Sequence, residues 1–362
     1  MLPSAIAAQR LDNQYLAGEK FQSPAQVVSW LGAVQAQEYA LAKWALGLRM
    51  VETTEALIEE AFNNGEILRT HLMRPTWHFV IPADIRWLLD LTAPRVHQVN
   101  GTMYRKLELD EDLLCRSVDL IANALAGGKH LTRAELAAVL MENGIDTTDG
   151  MRMGYIVHYA ELEGVVCSGV RRGKQHTYAL IAERAPYARQ LSRDEALAEL
   201  TLRFFTSHGP ATVKDFAWWS GLTLTDVRAG LASLGIQIMH EVIDGETYWF
   251  PVSSSQPKEF PGEGYLLPIY DEYTIAYKGQ SAYAFLSPAY ERLITDRFFT
   301  SAFVYKGEII GMWRRTLRST VSKKEVVVEL QPFRPFSTNE QDAFQTASRR
   351  FARFLEMQVD FG

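Results

Sequence analysis

Three stretches of the chain share one order of polar and apolar positions. SPAQVVSWLG from Ser23, TRAELAAVLMENG from Thr132 and TVKDFAWWSG from Thr212 each open on a hydroxyl side chain. Three positions later comes Gln, Glu or Asp, and then an apolar run. In that order the hydroxyl and the later side chain satisfy backbone N–H groups in the first turn of a helix, less surely where the later residue is Asp. A Gly follows each short run, so the pattern predicts helix, turn and second helix. The segments that follow alternate with period two. EILRTHLM, RP and TWHFVI predict a hairpin after the first copy, and VVCSGV, RRGK and QHTYALI one after the second. IQIMHEVIDGETYWF predicts one after the third, with Asp244-Gly245 at its tip.

Helical connectors are expected from about Asp84 to Arg95 and from about Arg193 to Ser207. Past PVSSSQPKEFPGEG, a Ser/Pro/Gly-rich linker, the character changes. SAFVYKGEIIGMWRRTL and KEVVVELQPF read as antiparallel strands, and a long helix follows, capped at Ser337 or Thr338. The expected fold class is α+β: three tandem winged-helix units, each a helix-turn-helix with a β-wing, then a C-terminal α+β subdomain. The boundaries are 1–95, 96–192, 193–252 and 253–362. The copies are too diverged and unevenly spaced for a solenoid.

Composition narrows the function. At 362 residues, 47% hydrophobic and 22% charged, the chain has material for two or three domains with an ample core. No apolar run approaches the roughly 18 residues of a membrane span. MLPSAIAAQRLDNQYL lacks a basic start followed by a long apolar segment, so no signal peptide is expected. Two cysteines, Cys115 and Cys167, without a CxxC, point to the reducing cytoplasm and away from zinc. The net charge of -6 does not mark a nucleic-acid binder, although a basic stripe can coexist with an acidic back.

Several groups could carry chemistry. Gln35 and Gln37 stand one residue apart before an amphipathic stretch. In an extended segment both amides would face one spot; on a helix they would point about 200° apart. They either satisfy a helix start or serve a site. In RPTWHFV, a strand would set Trp77 and Phe79 on one face and His78 on the other, as a rim residue or a site group. Arg171, Arg172 and Lys174 form a basic second wing tip, and Lys306, Arg314, Arg315 and Arg318 a second basic run. Each is either a solvated surface or a phosphate-binding one. Asp271 and Glu272 are adjacent, so on a strand they would face opposite ways. They suit a structural turn or the shaping of a groove better than joint acid–base work. The eight His show no metal-ligand spacing and no phosphate loop occurs, so neither metal nor cofactor is expected.

VQAQEYALAKWALGLR, LRTHLMRPTWHFV, LLPIYDEY and VYKGEIIGMWRR resemble the AlkZ-type winged-helix family, over nearly the whole chain. That family includes DNA glycosylases that excise alkylated purines, some from interstrand crosslinks. Its catalytic signature is Gln-x-Gln, or Gln-x-Asp in a sister branch, and Gln35-Ala36-Gln37 matches the first form. The resemblance implies that Gln35 and Gln37 are catalytic, with His78 beside them at a phosphate or the lesion. Glutamine suits such a reaction. A purine alkylated at N7 is already cationic and leaves neutral, so the site need only place a water and orient dipoles at the anomeric carbon. An amide carbonyl can accept from that water while the second amide orients it.

The expected protein is therefore a monofunctional, metal-independent DNA glycosylase, cytoplasmic and monomeric, with duplex DNA bearing an N7-alkylated purine as its partner. Its rival is a non-enzymatic winged-helix regulator. The acidic ETTEALIEEAFNNGE and the single Arg228 of LTLTDVRAGLASL disfavour base reading by the second helices. A third reading packs the winged helices around a small-molecule pocket.

Overall fold

The capping signals at Ser23, Thr132 and Thr212 each produce the helix they foreshadow. In the computed structural model, which describes residues 3–253, 262–278, 301–319 and 324–361, Ser23 Oγ accepts from the Gln26 N–H. Gln26 Oε1 in turn accepts from the Ser23 N–H at 3.1 Å. Thr132 with Glu135 and Thr212 with Asp215 repeat the exchange. Ser337 caps the C-terminal helix in the same way.

The fold divides into two compact units. The larger comprises Met1–Glu59, Ala198–Trp219 and Thr223–Gly362; the smaller comprises Glu60–Leu197 and Ser220–Leu222. Helices α1 (Pro3–Asn13), α2 (Pro24–Leu31) and α3 (Tyr39–Gly47) open the larger unit, with a short extended segment β1 (Val34–Gln35) before α3. Helix α4 (Glu55–Asn64) leads into the smaller unit. There β2 (Leu68–Leu72) and β3 (Thr76–Val80) pair antiparallel, with Thr70 opposite His78.

The smaller unit continues through α5 (Ile85–Lys106), α6 (Glu111–Leu125), β4 (Leu131–Thr132), α7 (Arg133–Glu142) and α8 (Gly150–Leu162). Strands β5 (Val166–Ser168) and β6 (Thr177–Leu180) then join β4 in the order β4-β6-β5, followed by the short α9 (Ile181–Arg184). The core of this unit comes from the apolar face of α6 (Leu114, Ile121, Leu125) and from Leu136, Leu140, Ile156 and Val166. The connector expected to end near Arg95 runs on as α5 through Pro94 to Lys106, because Val96 and Asn100 keep its buried face going.

The chain then returns to the larger unit. Helices α10 (Arg193–His208), α11 (Val213–Ser220) and α12 (Leu224–Leu234) precede the hairpin β7 (Ile238–Ile243) and β8 (Glu246–Pro251). At its tip Asp244 and Gly245 both take positive φ, as a two-residue hairpin turn requires. The linker expected at 251–264 falls largely on residues 254–261, outside those described.

Beyond it stands a five-stranded sheet, ordered β13-β12-β11-β10-β9. Its strands are β9 (Gly264–Leu267), β10 (Ala302–Tyr305), β11 (Glu308–Ser319), β12 (Lys324–Pro332) and β13 (Gln358–Phe361). All pairs are antiparallel except β12 with β13. A short helical turn, α13 (Glu272–Ile275), follows β9. Helix α14 (Thr338–Phe354) carries an apolar face of Phe344, Ala347, Phe351 and Phe354. Trp44 of α3 packs against both Phe351 and Phe354, and Trp313 of β11 against Phe351. Only a glycine allows α3 to approach so closely, since a Cβ on Gly47 would sit 2.9 Å from the Phe354 ring. The chain is thus a mixed α+β protein. Among the described residues no helix is long and apolar enough to cross a membrane.

Candidate functional site

Gln35 closes the extended segment β1, and Gln37 lies in a bend before α3 starts at Tyr39. Neither residue is helical, which removes the 200° divergence a helix would impose. Their environments differ. Gln35 is 7% exposed, Ala36 is sealed, and Gln37 is open to solvent. One amide is therefore fixed by packing, while the other stands where a ligand can reach it.

The backbone of Gln35 is held by a residue from the far end of the unit. Its N–H donates to Glu272 Oε1 at 2.8 Å. The other carboxylate oxygen, Oε2, accepts from the Trp219 indole N–H at 2.8 Å and lies 3.5 Å from His208 Nε2. Glu272 is 1% exposed. Burial holds the His208 imidazole below its usual range, against the pull of the adjacent Glu272 carboxylate. His208 in turn stacks on Phe204 and packs against Trp219. A buried carboxylate costs free energy unless its oxygens are hydrogen-bonded, and here each oxygen meets an N–H donor.

The turn that delivers Glu272 is anchored next door. Arg49 Nη1 and Nη2 donate to the two oxygens of Asp271, both at 2.8 Å, with both side chains buried. Arg49 also donates to Ala45 O and to Gln14 Oε1. Asp271 caps α13 through the Tyr273 N–H. The residue before it, Tyr270, takes φ +64°, a left-handed conformation unusual for a side chain of that size. Asp271 and Glu272 therefore divide two tasks. The first locks the turn to Arg49, just past α3, and the second grips the strand that ends in Gln35.

Beyond Gln37, α3 and β11 supply charge. Lys43 is buried and paired with Glu55 at 3.0 Å and Glu59 at 2.6 Å, while the Tyr39 hydroxyl donates to Glu59. Arg315 lies over the Phe351 ring, its guanidinium held below its usual range by burial and opposed by the nearby Glu55 and Glu38 carboxylates. Arg314, beside it in sequence, faces solvent and forms a bidentate pair with Glu329. Arg318 is exposed, 3.6 Å from Glu325 and 3.5 Å from Asp360. Lys306 is exposed at the β10–β11 turn.

The remaining candidates lie in the smaller unit. His78 is wholly buried, not on a rim, with Nδ1 3.0 Å from Thr76 O. Arg172 and Lys174 are exposed at the tip after β5, where Arg172 pairs with Glu135 at 2.7 Å. Arg171 is half-buried, and its N–H donates to Asn63 Oδ1. Among the described residues no group of three or more His, Cys, Asp or Glu is arranged to hold a metal ion. Asp271 and Glu272 stand out in the sequence as an acidic pair. Trp219, His208 and Arg49 do not, because their roles depend on partners far away along the chain.

Residues 28–354 match the sequence model described as DNA glycosylase AlkZ-like. That match, over most of the chain, makes the protein an enzyme, a DNA glycosylase. The chain belongs to the AlkZ-like family. Among curated proteins it is similar to an interstrand DNA cross-link repair glycosylase of Streptomyces sahachiroi, 24% identical over 327 residues, spanning 85% of this chain and 86% of that one. Among solved structures it is similar in fold to Streptomyces sahachiroi DNA glycosylase AlkZ, with a TM-score of 0.80, 21% identity and complete coverage of both chains.

Proposed function

We propose that this glycosylase hydrolyses the N-glycosidic bond of purines alkylated at N7 in duplex DNA, and that Gln35 and Gln37 hold the attacking water. The reading rests on one observation: an amide pair outside any helix, one member packed at the end of a strand whose backbone is tied to a buried carboxylate, the other exposed in the bend that follows. The electron pair of the C1′–N9 bond passes to the purine and cancels its positive charge. Water then adds to C1′ and gives up one proton to solvent, leaving an abasic site and a neutral base. No strong general acid is needed, so two uncharged amides suffice to orient the water and the dipoles around it. Ordinary bases, which would leave only after protonation, are not substrates.

Interstrand crosslinks through N7 fall within the same chemistry. The Streptomyces sahachiroi relative is described as an interstrand cross-link repair glycosylase, which favours extending the substrate class in that direction. Lys43, the lysine of α3, is engaged by two carboxylates, which favours a monofunctional enzyme over one that forms a Schiff base. We read the three helix-plus-hairpin stretches of the sequence as three winged helices. Lys306, Arg314 and Arg315 on one unit and Arg171, Arg172 and Lys174 on the other are the proposed phosphate-binding residues, with DNA bound by a monomer. His78 is retained as a support for its hairpin rather than a direct phosphate ligand, because it is buried.

Release of N7-methylguanine from alkylated duplex DNA, with no metal added, tests the reading. The expected result is release by the wild-type chain and its loss in Gln35→Ala and Gln37→Ala. Unchanged release by both variants refutes the water-holding role.

A further inference from the structure

We infer that Glu272 is the positioning residue of the catalytic segment: it fixes the backbone from which Gln35 and Gln37 project, and the reaction depends on its carboxylate rather than on any hydrogen-bonding isostere. The inference rests on the proposed role of the amide pair and adds a residue to it.

Three features of the larger unit carry it. Glu272 Oε1 accepts from the Gln35 N–H at 2.8 Å, so the carboxylate touches the segment directly. Oε2 accepts from the Trp219 indole at 2.8 Å, so the carboxylate is itself fixed from the opposite side. The turn that presents it contains the left-handed Tyr270 and is clamped by the Arg49–Asp271 pair. A backbone held in a sparsely populated conformation by so many partners is typical of a functional support rather than of a plain loop.

The donor pattern makes the group irreplaceable. Both oxygens face N–H donors, and an ionised carboxylate is acceptor-only. A glutamine at this position fits the same space, but its NH2 must point at either the Gln35 N–H or the indole N–H. Two donors then oppose each other inside the protein, and one hydrogen bond is lost. Removing the indole donor relieves that conflict. When Trp219→Phe is combined with Glu272→Gln, the introduced NH2 can turn toward the place of the former Oε2, where His208 Nε2 stands 3.5 Å away. The introduced carbonyl then keeps the Gln35 N–H.

The test compares wild type, Glu272→Gln, Trp219→Phe and the double variant on duplex DNA carrying N7-methylguanine. Single-turnover rates are measured at saturating enzyme, and DNA affinity separately. Glu272→Gln is expected to slow base release about 10- to 100-fold, the range for a sub-ångström to ångström misplacement of a reacting group. Its DNA affinity should stay that of wild type, since Glu272 is buried. The double variant is expected to regain most of the rate, which a loss of stability alone would not allow. Amide hydrogen exchange at Gln35 gives a readout independent of catalysis, and its protection should fall in Glu272→Gln and return in the double variant. If Glu272→Gln does not fold, Trp219→Phe carries the test, because it frees one carboxylate oxygen and should slow release while raising exchange at Gln35. Wild-type rates and unchanged Gln35 exchange in the folded variants overturn the inference. Absence of release by the wild-type chain instead overturns the substrate reading, and Gln35 exchange then decides the anchor by itself.

Discussion

Replacing Asp271 by Asn should destabilise the larger unit more than any substitution of an exposed charge in it. The shape at the position is kept, while the negative charge facing Arg49 is removed. In the wild type, two guanidinium N–H groups meet the two carboxylate oxygens at 2.8 Å, with Arg49 and Asp271 both 0% exposed. Asparagine can accept one of those bonds and must set its NH2 against the other donor. The guanidinium keeps Ala45 O and Gln14 Oε1 but has no counter-charge in that pair. Leaving one partner of a buried ion pair uncompensated costs about 3–5 kcal/mol. At about 1.4 kcal/mol per decade, the unfolding constant rises by roughly two to three and a half orders of magnitude. That is a large part of the about 5–15 kcal/mol that holds a typical domain together. Urea unfolding followed by tryptophan fluorescence measures it, since Trp44, Trp219 and Trp313 all lie in this unit. The paired change Arg49→Met with Asp271→Leu removes both charges and should cost less than Asp271→Asn alone. A loss below about 1 kcal/mol for Asp271→Asn, or a double variant weaker than the single one, refutes the reasoning.

Two further outcomes follow from other parts of the molecule. Lys306 and Arg314 are exposed, and Arg314 is ion-paired on the surface, so replacing both by Gln should leave the unfolding midpoint in place. It should lower the slope of log affinity for duplex DNA against log salt by about 0.9 for each phosphate no longer neutralised, and an unchanged slope removes them from the DNA interface. In the smaller unit, burial lowers the His158 imidazole to about 2, with the neighbouring His71 and His97 adding to the shift. Because the folded value lies below the ordinary 6.5, the unfolded chain takes up a proton that the native state refuses between those values. The stability His158 contributes is therefore present above pH 6.5 and is lost as pH falls. His158→Phe should flatten the wild-type dependence between about pH 6.5 and 4.5 by up to about 1.4 kcal/mol per pH unit. Parallel curves for the two proteins dispose of this assignment.

What the sequence disclosed depended on how far apart the interacting groups lie. Capping boxes join residues three positions apart, so Ser23–Gln26, Thr132–Glu135 and Thr212–Asp215 could be read directly. Hairpins were equally local, and the tip at Asp244-Gly245 needs only two residues of positive φ. The local pattern around Gln35 and Gln37 fits either strand or helix, and only the start of α3 at Tyr39 makes their setting non-helical. Around His78, strand alternation sorts residues into two faces without saying which face is covered. Both Phe79 and His78 turn out to be buried, so the alternation expected of a half-exposed strand does not hold there. The hold of Glu272 on Gln35 spans 237 positions, and no local pattern announces it.

That last separation bears on how such a site is built. An amide neither gains nor loses a proton near neutrality, so it cannot make up for poor placement by a shift in acidity, as a histidine or carboxylate can. Its whole contribution lies in where its dipole points. Rotamer freedom in a glutamine side chain is large, and the backbone must be fixed before that freedom can be limited. Placing Gln35 in the interior restrains one side chain by packing, while Glu272 accepts from the N–H of the same residue. Rigid elements position reacting groups better than loops do, and here the last N–H of a two-residue strand is held by a buried carboxylate 237 positions further along the chain. On the proposed role of the amide pair, the left-handed Tyr270 and the adjacent buried ion pair share one purpose: the fold carries them so that uncharged groups stay oriented.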